Sequence, residues 1–288
     1  MNSLTVRSFA KINLGLLVKE KRSDGYHNIE TIFVPIRLSD KIKLKKIERS
    51  IVIKILNQKI KVPKGKTNLA YKAAELFFNK TKIKSGTEIT IEKNIPVGSG
   101  LGGGSSNAAA VLNGLNILND KPLSKKELHN LALKIGMDVP FFLLGKACYA
   151  SGRGEILKPI EIPKLNIVLY LPNYSILSKW AYENISKMKT ERILTNGDLS
   201  LKILWKKLLK GDLRNLQPHI RNSFEDLVFA HYPDLAKIKE FFLTYGAYAT
   251  LLSGSGSAVF GLVEKKNIRT LKTALKRNKI DAVFTESF

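Results

Sequence analysis

Between residues 96 and 107 the chain reads Pro-Val-Gly-Ser-Gly-Leu-Gly-Gly-Gly-Ser-Ser-Asn, then runs straight into an alanine-rich segment. No other stretch limits the fold so tightly. Glycine lets backbone N–H groups approach a ligand that a Cβ would hold off. A helix that follows presents unpaired N–H groups and the positive end of its dipole. Loop and helix start together make an anion site, and a phosphate chain is the obvious anion. Pro96, Val97, Gly98, Ser99, Gly100, Leu101, Gly102, Gly103 and Gly104 are the candidate phosphate-binding residues, with the hydroxyls of Ser105 and Ser106 available to phosphate or Mg²⁺. A plain connector would rarely lead directly into an alanine-rich helix.

Three familiar phosphate patterns compete for this loop. The chain contains no G-x-x-x-x-G-K-[ST], which disfavours a P-loop NTPase. Gly98, Gly100 and Gly103 match the dinucleotide fingerprint, and Asp120 follows at a tempting distance. Asp120, however, falls in a helix-to-helix connection and not at the end of a second parallel strand, so the βαβ setting is missing. The V-A-I-K, H-R-D and D-F-G set of protein kinases is absent. A second glycine turn, 253–257, sits between two strand patterns. It reads as a hairpin turn whose chemistry also suits an anion.

The remaining pattern is mixed α and β. Alternation predicts strands at 3–20, 28–36, 41–47, 50–56 and 88–92, with a turn at 23–25. Helical spacing predicts helices at 68–79, capped by Thr67 or Asn68, at 105–118, and at 124–135 with a Ser124–Glu127 capping box. Beyond Gly154 the order becomes strand 165–171, helices 178–188, 199–210 and 223–243, strands 247–252 and 257–263, helix 267–278 and strand 281–285. Without the extra helices this is β-α-β-β-α-β, the split βαβ arrangement. A length of 288 residues favours two domains, and the change of pattern puts the boundary near 155.

Composition excludes several classes. Cys148 is the only cysteine, so no intramolecular disulfide and no cysteine metal cluster can form, and its apolar neighbours mark it as a small buried hydrophobe. His27, His129, His219 and His231 lie too far apart for a helical metal pair. No apolar run reaches membrane-span length, and Lys11 interrupts the alternating N-terminus, so neither a membrane span nor a signal peptide is expected. A cytoplasmic protein is the expectation. The net charge of +24 could mark nucleic-acid binding. The lysine clusters at 41–46 and 202–210 interleave with apolar residues, as solvated faces do, which favours a lysine-rich surface.

Two charged residues stand out as candidates for chemistry. Asp138 is a lone carboxylate among apolar residues, which could also serve as a helix cap before Pro140. Lys11 places a charge in a strand pattern and could simply face solvent. If they met, the cation could polarise a hydroxyl while the carboxylate took its proton.

At this point the motifs converge. Ala10-Lys11-Ile12-Asn13-Leu14, Asp24-Gly25-Tyr26-His27, Pro96 through Asn107, Gly136-Met137-Asp138-Val139-Pro140-Phe141-Phe142, and Leu252 through Ala258 occur in that order along nearly the whole chain. The chain resembles the galactokinase, homoserine kinase, mevalonate kinase and phosphomevalonate kinase superfamily. The glycine loop alone carries only that likeness. The first two blocks point to the family within it that acts on 4-diphosphocytidyl-2-C-methyl-D-erythritol.

The resemblance implies an α+β fold of two domains. Residues 1–155 would form an ATP-binding domain like domain 2 of ribosomal protein S5, and 156–288 a ferredoxin-like substrate domain. The implied reaction is ATP-dependent phosphorylation of the substrate's 2-hydroxyl, in the non-mevalonate isoprenoid precursor pathway. Asp138 matches the family's base and Lys11 the lysine that activates the hydroxyl. Asn13 would orient the acceptor, and Tyr26 and His27 would hold the cytosine. Tyr182 aligns with an aromatic on the other face of that base, or is a core aromatic of an amphipathic helix. Ser178, Gly254, Ser255 and Gly256 fall to the substrate side, and residues 96–106 with Asn68 and Lys93 to ATP. Mg²⁺ would arrive with ATP, touched by Ser105 or Ser106, with no metal cluster of the protein's own. Ser99 stands where the family often has Gly or Ala, which is tolerable if its side chain points away from the phosphates. The expected partner is a small cytidyl diphosphate, with no obligate nucleic acid and no membrane, on a monomer or homodimer. Two other readings remain: a related kinase with a homoserine- or mevalonate-type acceptor, and a basic RNA-binding protein. The Tyr26-His27 block argues against the first, and the lack of an aromatic–basic RNA signature against the second.

Overall fold

The computed structural model describes residues 1–56, 62–63, 65–185, 197–212 and 216–288, with backbone alone for 197–200. The chain forms two compact units. The first comprises Met1–Ala10, Leu38–Val97 and Gly102–Gly145, and the second Lys11–Arg37, Gly98–Leu101 and Lys146–Phe288. Two long strands, β1 (Ser3–Lys21) and β2 (His27–Ile47), pair with each other, and each contributes to both units.

In the first unit, Lys41–Ile47 of β2 pairs antiparallel with β4 (Gly86–Glu92). Strand β3 (Ile51–Ile55) lies parallel on the other side of β4, and α1 (Leu69–Thr81) makes the crossover between them. Parallel neighbours need such a crossover. Helix α1 buries Ala70, Ala73, Ala74 and Phe77, one stripe at helical spacing. Asn68 starts it by accepting the Ala70 N–H at 2.9 Å. Helices α2 (Gly103–Leu118), α3 (Lys125–Ile135) and α4 (Val139–Leu144) complete the unit. The expected Ser124–Glu127 capping box opens α3. The core joins Ile42, Leu44, Ile89 and Ile91 of the strands to the small inner residues of α1 and α2. Lys41, Lys43 and Lys45 alternate with Ile42 and Leu44 and face solvent, so this lysine cluster is the outer face of a strand.

In the second unit, Thr31–Phe33 of β2 pairs antiparallel with β5 (Cys148–Ser151), and β5 with β6 (Ile156–Pro159). A separate sheet holds β7 (Asn166–Tyr170), β8 (Ala247–Leu252), β9 (Val259–Val263) and β10 (Ala282–Glu286). Its order is β10-β7-β9-β8, with antiparallel neighbours throughout. Helices α5 (Ser178–Ile185), α6 (Gly197–Leu209), α7 (Glu225–His231) and α8 (Pro233–Thr244) separate β7 from β8, and α9 (Ile268–Arg277) separates β9 from β10. Val168, Val259, Phe242, Leu271 and Phe224 anchor this core. Cys148 is buried, and burial pushes its thiol up to about 12.

Four local expectations change. The strands read at 28–36 and 41–47 are one strand, because Asp40 finds partners inside and does not break the ladder. The helix read at 223–243 is two, since Pro233 cannot donate an N–H within a helix and instead opens α8 at its first position. Helix α2 begins at Gly103, two residues earlier than read. Helix α4 and strands β5 and β6 were too short for periodicity to register. The end of the expected helix 178–188, beyond Ile185, lies outside the described residues.

Candidate active site

The glycine loop is shared between the units. Its opening, Gly98–Leu101, belongs to the second. There it is laced to the 253–258 turn: Ala258 N–H donates to Ser99 O at 3.0 Å, and the Ser253 hydroxyl to Gly100 O at 3.2 Å. Gly100 sits at φ +74°, and a Cβ on it would lie 1.8 Å from the Ser253 carbonyl oxygen. Only glycine permits that approach. Ser99 is buried at 3% exposure.

Lys11 reaches the same place. Its backbone N–H donates to Leu101 O at 3.0 Å. Its side chain is 4% exposed, so the solvent-facing alternative fails. The Nζ donates to Asn13 Oδ1, rides 5.1 Å over the Phe33 ring, and lies 3.4 Å from where a Gly254 Cβ would be. Asn13 is itself fixed, its Nδ2 donating to Thr31 Oγ1 at 2.8 Å. Lys11, Asn13, Gly100 and Gly254 therefore cluster around one buried ammonium. Ser255 joins Ser178 through a 2.9 Å hydroxyl contact.

Tyr26, His27 and Tyr182 also belong to the second unit. His27 and Tyr182 stack at 5.5 Å between centroids and 25° between planes. Tyr182 also meets Phe224 edge-on at 4.9 Å, so it serves the core while offering a ring to His27. Burial, with a lesser contribution from nearby Lys21, lowers the His27 pKa and favours neutral imidazole. Tyr26 is 50% exposed, and the Arg153 guanidinium sits 5.2 Å from its ring centre.

The first unit holds the rest of the loop and the acid. Asp138 precedes α4 in a helical backbone conformation and makes no capping hydrogen bond, which removes the cap alternative. Gly102 enters α2 at φ +70°, and Gly103 and Gly104 form the first helical residues. Ser105 is half-buried, whereas Ser106 is 3% exposed and accepts the Ser8 hydroxyl at 2.7 Å. Asn68 is 6% exposed, with its oxygen capping α1 and its Nδ2 donating to Pro63 O at 2.8 Å. Lys93 is 2% exposed and ion-paired with Asp40. Burial lowers its pKa, and Asp40 works against that shift.

Two buried polar residues, Asp40 and Asn222, and the partly buried Glu225 escaped the sequence reading. Asp40 binds Lys93 together with the N–H groups of Asn94 and Ile95 at 2.7 and 2.8 Å. Alternation through Ile36, Leu38, Ile42 and Leu44 places Asp40 on the inward face, which was the available signal. Asn222 braces the 253–256 turn, its Nδ2 donating to Leu252 O at 2.8 Å and Gly254 O at 2.7 Å. Glu225 accepts the Leu252 N–H at 2.9 Å and pairs with Lys239 at 2.7 Å. Desolvation raises its pKa despite that lysine. Neither Asn222 nor Glu225 has a distinguishing local pattern.

Comparison with known proteins fits this geometry. The N-terminal domain of GHMP kinases matches residues 68–146, and the C-terminal domain of GHMP kinases matches 205–281. A 4-diphosphocytidyl-2-C-methyl-D-erythritol kinase of Chlorobium phaeobacteroides is 40% identical over 293 residues, covering 100% of this chain and 99% of its own. The enzyme of that name from Thermodesulfovibrio yellowstonii is 40% identical, covering 91% of this chain and 90% of its own. A crystal structure of 4-(cytidine 5'-diphospho)-2C-methyl-D-erythritol kinase superposes with a TM-score of 0.81 at 34% identity, covering 99% of each chain. With both GHMP domains matched and full-length relatives at this identity, the chain belongs to the GHMP kinases, in the 4-diphosphocytidyl-2-C-methyl-D-erythritol kinase family.

Proposed function

We propose that the protein transfers the γ-phosphate of ATP to the 2-hydroxyl of 4-diphosphocytidyl-2-C-methyl-D-erythritol, a step of the non-mevalonate isoprenoid precursor pathway. The observation that carries this reading is the buried Lys11 ammonium, held by Asn13 beside Gly100 and Gly254. A cation fixed in advance in a water-poor setting stabilises developing oxyanion charge at little reorganisation cost. In this reading Lys11 polarises the acceptor hydroxyl, Asn13 orients it, and Asp138 takes its proton. Phosphoryl transfer asks a protein mainly for such positioning and charge stabilisation.

The loop residues 96–106 supply backbone N–H groups to the triphosphate, and the start of α2 adds its dipole. Asn68 and Lys93 flank the nucleotide's base. Mg²⁺, when bound, offsets phosphate charge. Among the described residues no group of three His, Cys, Asp or Glu could hold a metal. Half-buried Ser105 is the serine we assign to the metal or phosphate, because the Ser106 hydroxyl is engaged with Ser8. On the acceptor side, Tyr26 and Tyr182 take the two faces of cytosine, neutral His27 hydrogen-bonds its edge, and Ser178, Gly254, Ser255 and Gly256 bind the remainder. Each aromatic face adds about 1–3 kcal/mol in comparable base-stacking sites.

Functionally, residues 1–155 are the ATP-binding part, related to domain 2 of ribosomal protein S5, and 156–288 the ferredoxin-like part. The β10-β7-β9-β8 order, with antiparallel neighbours, supports the second name. No helix among the described residues is long and apolar enough to cross a membrane. We place the enzyme in the cytoplasm as a monomer or homodimer without an obligate nucleic-acid partner.

A coupled assay of ADP release, run with the cytidyl substrate, homoserine and mevalonate, tests the reading. Turnover with the first alone, and a phosphomonoester on the 2-carbon by ³¹P and ¹H NMR, is expected. Turnover with another acceptor alone, or tight RNA binding at physiological salt without ATP turnover, overturns it.

A further inference from the structure

We propose that Asp40 is a positioning residue for nucleotide binding, setting the strand exit and the helix start that bracket the glycine loop within the first unit. The inference rests on the assignment of that loop to ATP. Asp40 is fully buried, and a buried carboxylate is strongly unfavourable unless every lone pair finds a donor. Asp40 finds four. Oδ1 accepts the N–H groups of Asn94 at 2.7 Å and Ile95 at 2.8 Å. Oδ2 accepts Lys93 Nζ and, at 2.8 Å, Asn107 Nδ2. Residues 93–95 are the last before Pro96, where the loop opens, and Asn107 stands in the first turns of α2, where it closes. One carboxylate thus ties both ends.

The tie extends further. Asn107 Nδ2 also donates to Ser8 Oγ at 2.8 Å, and Ser8 donates to Ser106 at 2.7 Å. Lys93 Nζ lies directly beneath the helix start, 2.8 Å from where a Cβ of Gly103 would be. The N–H groups of the first helical turn are therefore fixed before any phosphate arrives. Replacing a buried ion pair by apolar residues of similar volume is often neutral or stabilising, so stability alone is a weak reason for this pair. Preorganised donors at the point where anionic charge binds are a better one.

The test compares wild type, D40N, D40N/K93M and Asn107→Ala by thermal melting, by calorimetric binding of Mg²⁺ with a non-hydrolysable ATP analogue, and by separate KM values for ATP and the cytidyl acceptor. D40N removes the carboxylate charge that Lys93 pairs with, and the double variant removes both charges. Folded D40N is expected to bind the analogue at least tenfold more weakly and to raise KM for ATP in step, with acceptor KM changed less than twofold. Asn107→Ala removes the neutral link to Asp40 together with the hydrogen bond to Ser8 and is expected to lose about threefold, which keeps the proposal open to refutation if the charge variants fail to fold. A purely structural role would lower the melting temperature and leave the ATP-to-acceptor KM split unmoved. Unchanged analogue affinity in folded D40N, or in Asn107→Ala where D40N does not fold, overturns the proposal; D40N/K93M, which also removes a residue assigned to the nucleotide, reads only whether the fold tolerates the loss of both charges. If wild type binds the analogue but does not phosphorylate the cytidyl substrate, the functional reading fails while the Asp40 comparison stands. If wild type binds no nucleotide, both fall.

Discussion

Gly100→Ala is a sharp perturbation of the loop. The backbone there is left-handed, at φ +74°, which costs an L residue about 1–2 kcal/mol. The steric demand is larger. The new Cβ would lie 1.8 Å from the Ser253 carbonyl oxygen and 2.8 Å from its carbon, both backbone atoms that no rotamer change can move. Reaching even 3.0 Å, the shortest separation real Cβ atoms tolerate, would part the loop and the 253–256 turn by about 1.2 Å. Lys11 is bonded to Leu101 on this loop, and its Nζ faces Gly254 on this turn, so the shift falls on the proposed catalytic ammonium. A misplacement of about 1 Å can cost on the order of 10²-fold in rate. Steady-state kinetics should therefore show kcat/KM down by about two orders of magnitude, with cooperative melting retained. Gly211→Ala is the control, because it carries the same backbone penalty at φ +66° with nothing among the described residues within 4 Å of the new Cβ. That variant should lose only about 2–4 °C in Tm and keep its turnover. Gly100→Ala activity within threefold of wild type would refute the argument that this contact sets the site.

Asp138→Asn should lower turnover by about two to four orders of magnitude, the usual range for a lost general base, while calorimetric ATP affinity stays near wild type; undiminished turnover rejects the assigned base. His27 is held neutral by burial, so KM for the cytidyl substrate should be flat above the ordinary histidine value of about 6.5 and rise only below it. Folding stability follows the same sign: the unfolded chain takes up the His27 proton first, so stability falls as pH drops below about 6.5 and levels off under the folded value. A break in KM above 6.5, or one that persists in His27→Asn, counts against this. Cys148, buried with its thiol pushed up to about 12, should resist thiol reagents at pH 8 in the native protein and react once in denaturant; rapid native labelling contradicts the structure.

What could be read from the chain depended on whether the signal was local. The glycine loop declares itself through composition, and the Asn68 and Ser124–Glu127 starts through cap chemistry confined to four residues. Lys11 was conspicuous as a charge in an apolar alternation, but only the fold shows that its amine is buried and bonded to Asn13. Asp40 falls in the gap between the strand patterns at 28–36 and 41–47, and neither pattern by itself marks it as buried. Its partners lie more than 50 residues away, and no window of sequence contains them. Asn222 and Glu225 are hidden for the same reason, each serving a turn some 30 residues further on. Tyr182 showed helical spacing that core and ligand roles share, and its contacts with both His27 and Phe224 explain why spacing alone could not choose.

The chain passes between its two compact units five times, after Ala10, Arg37, Val97, Leu101 and Gly145. Four residues, Gly98–Leu101, form the shortest of these visits, and they are the heart of the glycine loop. No single cut in the polypeptide can release either half intact. Attempts to express one half, to graft it onto another protein, or to exchange halves between relatives would each require several new junctions, one of them inside the glycine loop itself. Substitution and surface insertion are therefore easier routes of variation for such a chain than shuffling of parts.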